Sequence, residues 1–168
     1  MTWACITQRT RGGYSPGHLA LREGPLLERA VRSLAVRPDV LLVNATGRDH
    51  PRRAGLALHL GAVLDMPSVG VTNQPLEAAG DWPRDEPGAR SDLELEGEVV
   101  GTWLRAQAGA NPLLVHPAWA TDLETAVEIV KRSMGPWRTP KPLREAREQA
   151  RISRAIAEGR AGGESPCS

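Results

Sequence analysis

The stretch that decides the fold is residues 40–72, VLLVNATGRDHPRRAGLALHLGAVLDMPSVGVT. It opens with four consecutive apolar residues, 40–43, a run typical of a strand that is covered on both faces. Residues 54–65 then carry apolar side chains at helical spacing, and residues 68–72 form another short apolar run after Pro67. A strand, a helix and a strand in this order predict two parallel strands joined by a right-handed crossover.

The segments on either side predict further helices and strands of an α/β domain. Gly24-Pro25 predicts the start of a helix, because proline is tolerated in the first turn, where amides lack internal partners. Thr121 and Glu124 predict a capping box before a helix over about 122–134. The other predictions are strands at 98–105 and 112–116, a long surface excursion at 75–97, and a charged helix ending near Glu158.

Length and composition are those of one globular domain. The chain has 168 residues, of which 40% are hydrophobic and 24% charged. Residues 1–158 are predicted to form a single domain and residues 159–168 a disordered tail. Because no apolar stretch approaches the roughly 20 residues that span a bilayer, and no secretory signal is readable, a cytoplasmic protein without membrane contact is expected. Cys5 and Cys167 lack metal-ligand spacing and are interpreted as free thiols.

Charge is segregated along the chain, although its net value is only +1. Residues 77–98 are strongly acidic, whereas positive charge collects at Arg9 and Arg11, at Arg52 and Arg53, and along residues 131–160. Such segregation is compatible with a basic face that meets phosphates, and equally with solvated helix faces.

Two motifs carry a resemblance to a known family. Residues 14–25 read Tyr-Ser-Pro-Gly-His-Leu-Ala-Leu-Arg-Glu-Gly-Pro, and residues 50–61 read His-Pro-Arg-Arg-Ala-Gly-Leu-Ala-Leu-His-Leu-Gly. Together they resemble the endonuclease V family, metal-dependent nucleases that act on DNA or RNA containing deaminated purines such as inosine. The matches run to about Ala126 and resume at residues 138–144.

The resemblance implies a fold, a reaction and a metal. The fold is similar to ribonuclease H, with a mixed five-strand sheet between helices. The reaction is hydrolysis of a phosphodiester 3′ to the lesion during DNA repair, with Mg²⁺ held by carboxylates at the strand ends. Because ligands collect at the carboxyl ends of parallel strands, this site is expected near Asn44 and near Thr72-Asn73.

Single positions take roles from the family by the same resemblance. Glu23 falls on the glutamate that binds the catalytic metal. The wedge that separates the strands beside the lesion corresponds to Tyr14, Ser15, Pro16 and Gly17. The pocket for a flipped-out hypoxanthine corresponds to Gly17, Leu19, Gly47, Gly55, Leu56 and Gly70, where small residues leave room for the base. Close packing of the glycines is the alternative interpretation.

Several positions depart from the family pattern. Asn44 stands where the family has a metal-binding aspartate, Asn73 where it has a lysine that contacts the phosphate, and Trp119 where it has a histidine near the metal. Asp49 or His50 is a candidate substitute ligand, and His50 is also placed, with Arg52, among the substrate-binding residues. Arg52 and Arg53 are expected either to meet phosphates or to brace their loop.

The start of the chain departs from the family as well. Residues 1–13 contain no acidic residue, whereas family members carry a first catalytic aspartate on a strand well upstream of the wedge. We therefore expect a chain that lacks the N-terminal strands of the family sheet and leaves the strand at 40–43 with an open edge.

Two functional hypotheses from different classes follow. The first is an endonuclease V-like enzyme that acts on inosine-containing DNA or RNA with impaired hydrolysis. The second is a catalytically inactive nucleic-acid-binding relative that keeps the wedge and the base pocket. An unrelated metabolic α/β enzyme ranks third, because no phosphate-binding glycine loop or nucleophile motif is present.

Overall fold

The computed structural model describes residues 4–7 and 19–159. In chain order, the elements are α1 (Leu19–Arg32), β1 (Leu41–Val43), α2 (Leu56–Leu64), β2 (Ser68–Thr72), β3 (Arg90–Leu95), β4 (Glu98–Leu104), β5 (Leu113–Pro117), α3 (Leu123–Met134) and α4 (Lys141–Ala157).

The five strands form one mixed sheet in the order β1-β2-β5-β4-β3. β1 and β2 are parallel, with Leu41 opposite Ser68 and Val43 opposite Gly70, as the strand–helix–strand pattern predicts. The other neighbouring pairs are antiparallel. The α/β class and the mixed five-strand sheet are therefore confirmed, and within the described residues β1 is an edge strand.

Helices cover both faces of the sheet and divide the core into layers. On one face, α1 and α2 pack over β1, where Leu41 and Val43 join Leu56 and Leu60 of α2. On the other face, the apolar side of α3 packs on β2 and β5, and Leu143 of α4 completes that cluster. β1 is thus covered on both faces, as its continuous apolar run predicts.

The helix at Gly24-Pro25 begins earlier than predicted. α1 starts at Leu19, so Pro25 lies inside it and not in its first turn. Ala20 and Leu27 pack against the α2 cluster, and packing of this kind stabilises a helix more than intrinsic propensity does. Pro25 itself is exposed, and so is Leu21, the residue whose carbonyl is left without its amide partner.

The predicted surface excursion at 75–97 contains a strand that the sequence analysis missed. β3 pairs with β4 through a turn at Glu96 and Gly97, whose φ angles of 54° and 81° belong to the turns that suit tight hairpins. Residues 92–95, Asp-Leu-Glu-Leu, alternate between exposed acidic and covered apolar side chains, with Leu93 fully buried. That period-two alternation was the available signal.

The N-terminus of α3 is capped by a different residue from the one predicted. Asp122 is the N-cap, and its carboxylate accepts a hydrogen bond of 2.8 Å from the Thr125 amide. Thr121 instead donates its hydroxyl to the Ser68 carbonyl at 2.7 Å, and Glu124 pairs with Arg90 at 2.9 Å. The helix itself, Leu123–Met134, agrees with the predicted range.

At its C-terminal end, α4 stops at Ala157, as expected for a helix ending near Glu158. Of the predicted tail, Gly159 lies in a turn and the rest is outside the described residues. No helix in the described ranges is long and apolar enough to cross a membrane.

Candidate nucleic-acid site at the carboxyl edge of the sheet

The carboxyl ends of β1 and β2 lie side by side because the two strands are parallel. Asn44 follows β1 and is exposed, and Asn73 follows β2 and is exposed as well. Glu23 is half-buried on α1 next to Gly24, where an added Cβ would lie 3.4 Å from His59 and 4.0 Å from Leu56 of α2. Since α2 begins just after the loop that follows β1, Glu23 lies at the same end of the domain as Asn44.

The residues at this edge do not fit a Mg²⁺ centre. Glu23 offers one carboxylate, and Asn44 offers only a neutral carbonyl oxygen, whereas Mg²⁺ is held in proteins chiefly by carboxylates. Within residues 4–7 and 19–159, no three His, Cys, Asp or Glu side chains come together in a way that could hold a metal ion.

The carboxylate of Asp49, the candidate substitute ligand, is hydrogen-bonded to backbone amides of another loop. Its side chain is fully buried, and its two carboxylate oxygens accept 2.8 Å hydrogen bonds from the backbone amides of Leu76, Glu77 and Ala78. A carboxylate that satisfies three amides in the interior anchors the loop after β2 and does not face a metal at the strand end. These three hydrogen bonds argue against Asp49 as the substitute for the family ligand.

His50 and the two arginines that follow it have separate environments. His50 is buried, and its Nδ1 accepts a 3.1 Å hydrogen bond from the Arg52 amide, which occupies one of its two ring nitrogens. Arg53 donates to the Leu95 carbonyl at 3.0 Å and lies 2.9 Å from Glu96 and 3.5 Å from Glu98. Arg53 therefore braces the loop against the β3–β4 hairpin, and Arg52, exposed beside it, stays a predicted phosphate contact.

Of the four glycines of the predicted base pocket, the three in the described residues are buried against backbone atoms. A Cβ added at Gly47 would lie 2.6 Å from the Pro117 carbonyl oxygen, one at Gly55 2.4 Å from that of Thr46, and one at Gly70 2.3 Å from that of Ala45. Close packing thus requires glycine at each position. Leu56 is also buried, in the α1–α2 cluster, and the base-pocket role of these residues stays a prediction.

Trp119 lies at the opposite ends of the strands from Asn44 and Asn73. Its amide donates to the Ser68 hydroxyl at 3.1 Å, and its carbonyl accepts from the Ser68 amide at 2.9 Å, at the amino end of β2. The antiparallel pairing of β5 with β2 causes this, because the end of one strand meets the start of the other. Trp119 is therefore not brought to the predicted site.

A buried histidine that the sequence analysis did not assign lies beneath this edge. His116 of β5 is fully buried, and its Nε2 is 3.0 Å from the Thr72 hydroxyl, which also donates to the Gln74 carbonyl at 3.0 Å. Since the single hydrogen of that hydroxyl is donated to Gln74, Nε2 of His116 carries a hydrogen and donates a hydrogen bond to the Thr72 hydroxyl oxygen. Burial lowers the pKa of His116 to about 4, although Asp49 acts in the opposite direction. A lone polar residue within an apolar strand was the signal for it.

Arg138 is a second residue that the sequence analysis left without a role. Its guanidinium donates to the Asn73 side-chain oxygen at 2.8 Å, to the Pro112 carbonyl at 3.2 Å and to the Asn111 carbonyl at 2.5 Å. Burial lowers its pKa from the ordinary value of arginine. Arg138 thus brings a positive charge to Asn73 at the carboxyl edge, from a distant part of the chain.

Part of the predicted site lies outside the described residues. The described residues do not include Tyr14, Ser15, Pro16 and Gly17. Leu19 is the first residue of α1, and the surroundings of its side chain are not described. The wedge assignment stays a prediction.

Comparison with known proteins identifies the family of this sheet and its motifs. The Endonuclease V family model matches residues 1–148, a wider span than the motifs alone indicate. The chain belongs to the endonuclease V family. It is similar to an endonuclease V of Geotalea uraniireducens, with 39% identity over 155 residues, which are 92% of this chain and 66% of the relative.

Solved structures of endonuclease V have the same fold. The crystal structure from Streptomyces avermitilis matches with a TM-score of 0.81 and 33% identity, covering 89% of this chain and 64% of that one. The D234N variant from Ciona intestinalis, in complex with DNA containing an inosine followed by a ribo-adenosine, matches with a TM-score of 0.67 and 26% identity over 86% of this chain and 68% of that one. The chain spans slightly less than two thirds of its relatives from Geotalea and Streptomyces.

Proposed function

We propose that this endonuclease V family member binds inosine-containing DNA or RNA and that its phosphodiester hydrolysis is impaired. Membership of the family and the likeness to a relative in complex with inosine-containing DNA support the nucleic-acid part of the proposal. The contribution of Mg²⁺ and a cytoplasmic location stay predictions from the resemblance.

The observation that carries the impaired activity is the chemistry of the carboxyl edge. Asn44 and Asn73 place two neutral amides at the ends of the parallel strands, and the nearby carboxylate of Asp49 is bound to three backbone amides. Loss of one transition-state contact typically costs about 10²–10³ in rate, and several such losses together leave little activity even though they are not additive. Of the two hypotheses, the geometry therefore favours the relative that binds nucleic acid without catalysing its hydrolysis.

A cleavage assay tests the loss of hydrolysis. We expect no more than trace cleavage of an oligonucleotide with one deoxyinosine in the presence of Mg²⁺. Robust turnover that is abolished in Glu23→Ala would contradict the proposal and reveal a metal ligand other than those at this edge.

A binding assay tests inosine recognition. Fluorescence anisotropy with two oligonucleotides that differ only in inosine or adenine should show weak, salt-sensitive binding with a preference for inosine. Affinity should fall with added salt by a slope near one for each phosphate that is neutralised. Equal affinity for the two oligonucleotides would refute the base-pocket assignment.

A further inference from the structure

An exposed tryptophan and three cations lie together where α3 gives way to α4. Trp137 is 57% exposed, and the guanidinium carbon of Arg144 lies 4.9 Å from its ring centroid. Nε of Arg144 is buried and makes no hydrogen bond within the described residues. The stacked cation holds the indole in place while much of the ring faces solvent. We call the residues Trp137, Arg138, Lys141 and Arg144 the Trp137 surface.

The Trp137 surface is positively charged and presents an unfilled helix terminus. Residues 138–144 contain three cations and no acidic residue. The exposed ammonium of Lys141 is 3.6 Å from Glu145, a solvent-exposed pair of the kind that contributes little. α4 begins at Lys141 after Pro140, which gives no side-chain cap. Because Pro142 has no N–H and the Arg144 amide bonds to the Pro140 carbonyl, the amides of Lys141 and Leu143 are those of the first turn that favour an anion.

Hydrogen bonds fix this surface beside the candidate site. Arg138 bonds to Asn73, which follows the carboxyl end of β2, and to the Pro112 carbonyl before β5. Gln107 donates to the Pro136 carbonyl at 2.6 Å and anchors the other side of Trp137. Arg138 therefore links the Trp137 surface to Asn73 at the carboxyl ends of the strands.

We propose that the Trp137 surface binds the single-stranded part of the nucleic acid that flanks the recognised nucleotide. Trp137 stacks on an unpaired base, and Lys141, Arg138 and the first amides of α4 contact the phosphates. An aromatic ring framed by cations has this chemistry, because each base presents a π-face and the backbone is anionic. The inference rests on the proposed function and deepens it by assigning residues to the flanking strand.

A second exposed tryptophan provides a matched control. Trp82 is 55% exposed, and the Arg105 guanidinium carbon lies 5.8 Å from its ring centroid. The surroundings differ in charge, because residues 81–86 around Trp82 contain the acidic residues Asp81, Asp85 and Glu86 against the single cation Arg84. If exposure of an aromatic ring alone were sufficient for binding, the two tryptophans would behave alike.

The experiment measures binding of short single-stranded DNA, with one inosine or with adenine in its place, by anisotropy at several salt concentrations. Trp137→Leu should weaken binding of both oligonucleotides about tenfold and leave the ratio between them unchanged. Trp82→Leu should bind as the unmodified chain does. Lys141→Gln should lower the slope of log affinity against log salt by about one. Equal urea midpoints of the three variants will show that folding is unaffected.

The outcomes separate this inference from the proposed function. A preference for inosine together with unchanged affinity in Trp137→Leu would overturn the inference alone, as would equal losses in the two tryptophan variants. Equal affinity for inosine and adenine, weakened in Trp137→Leu but not in Trp82→Leu, would support the inference and overturn inosine recognition. Absence of binding by the unmodified chain to either oligonucleotide would overturn both.

Discussion

Asn44 and Asp49 lie five positions apart in one loop and have opposite environments. Asn44 is an exposed neutral amide at the end of β1, where the family resemblance places a metal-binding aspartate. Asp49 is a carboxylate buried in the interior, with both oxygens bound to backbone amides of residues 76–78. The comparison teaches that the carboxylate retained in this loop supports the fold, while the position expected to do chemistry has no charge.

The largest expected effect belongs to the buried member of this pair. Asp49→Ala should lower the free energy of unfolding by about 3 kcal/mol, because three backbone amides lose their acceptor at roughly 1 kcal/mol each. Urea unfolding measures it. The exposed Asp81→Ala is the control, with an expected change within about 0.5 kcal/mol. Similar values for the two variants would mean that the loop anchor contributes little.

Of comparable size is the pH dependence that His116 introduces beneath the same loop. Its folded pKa of about 4 lies below the ordinary 6.5, so between these values the unfolded chain binds a proton that the folded chain does not. The contribution of His116 to the free energy of unfolding is therefore fully present above pH 6.5. It is lost as pH falls towards 4, by about 3 kcal/mol in total.

The test compares unfolding of the chain and of His116→Gln between pH 7.5 and about pH 4.5, so that carboxylates common to both cancel. The difference in unfolding free energy between the two proteins should be nearly constant above pH 6.5 and change progressively as pH falls from 6.5 to 4.5. A constant difference would show that His116 titrates alike in the folded and unfolded states.

A smaller gain is expected from restoring charge at the strand end. Asn44→Asp should tighten Mg²⁺ binding by about tenfold, because ligand charge sets the affinity of oxygen sites for divalent cations. Titration calorimetry of the two proteins measures it, and Glu23→Gln in the Asn44→Asp background should remove the gain. Identical weak binding in all three proteins would mean that residues 23 and 44 do not share a site.

The smallest effect concerns the two arginines of the loop. Arg53→Ala should lower the free energy of unfolding by less than about 1 kcal/mol, because its ion-pair partners Glu96 and Glu98 are largely exposed. The same substitution should leave the salt dependence of oligonucleotide binding unchanged. Arg52→Ala should lower the salt slope by about one. A salt slope that is lowered in Arg53→Ala and unchanged in Arg52→Ala would show that Arg53, and not Arg52, contacts the phosphate.

Sequence patterns predicted those elements whose periodicity is local. The apolar run at 40–43 and the helical spacing at 54–65 are confirmed as β1 and α2, in a parallel pair with β2. β3 was missed because proline, glycine and acidic residues dominate its surroundings, and only the alternation around Leu93 marks it as a strand. The start of α1 was missed because its packing on α2 outweighs the local signal of Pro25.

The candidate site divides in the same way. Residues 14–25 and 50–61 were enough to predict the family, and the sequence also states that the residue after β1 is a neutral asparagine. The three-dimensional fold was needed to show that Asp49 is an anchor, that Trp119 lies at the opposite ends of the strands, and that Arg138 joins Asn73. The physical reason is that chemical identity is written at each position, whereas burial, hydrogen-bond partners and proximity depend on chain segments that the fold brings together from far apart in sequence.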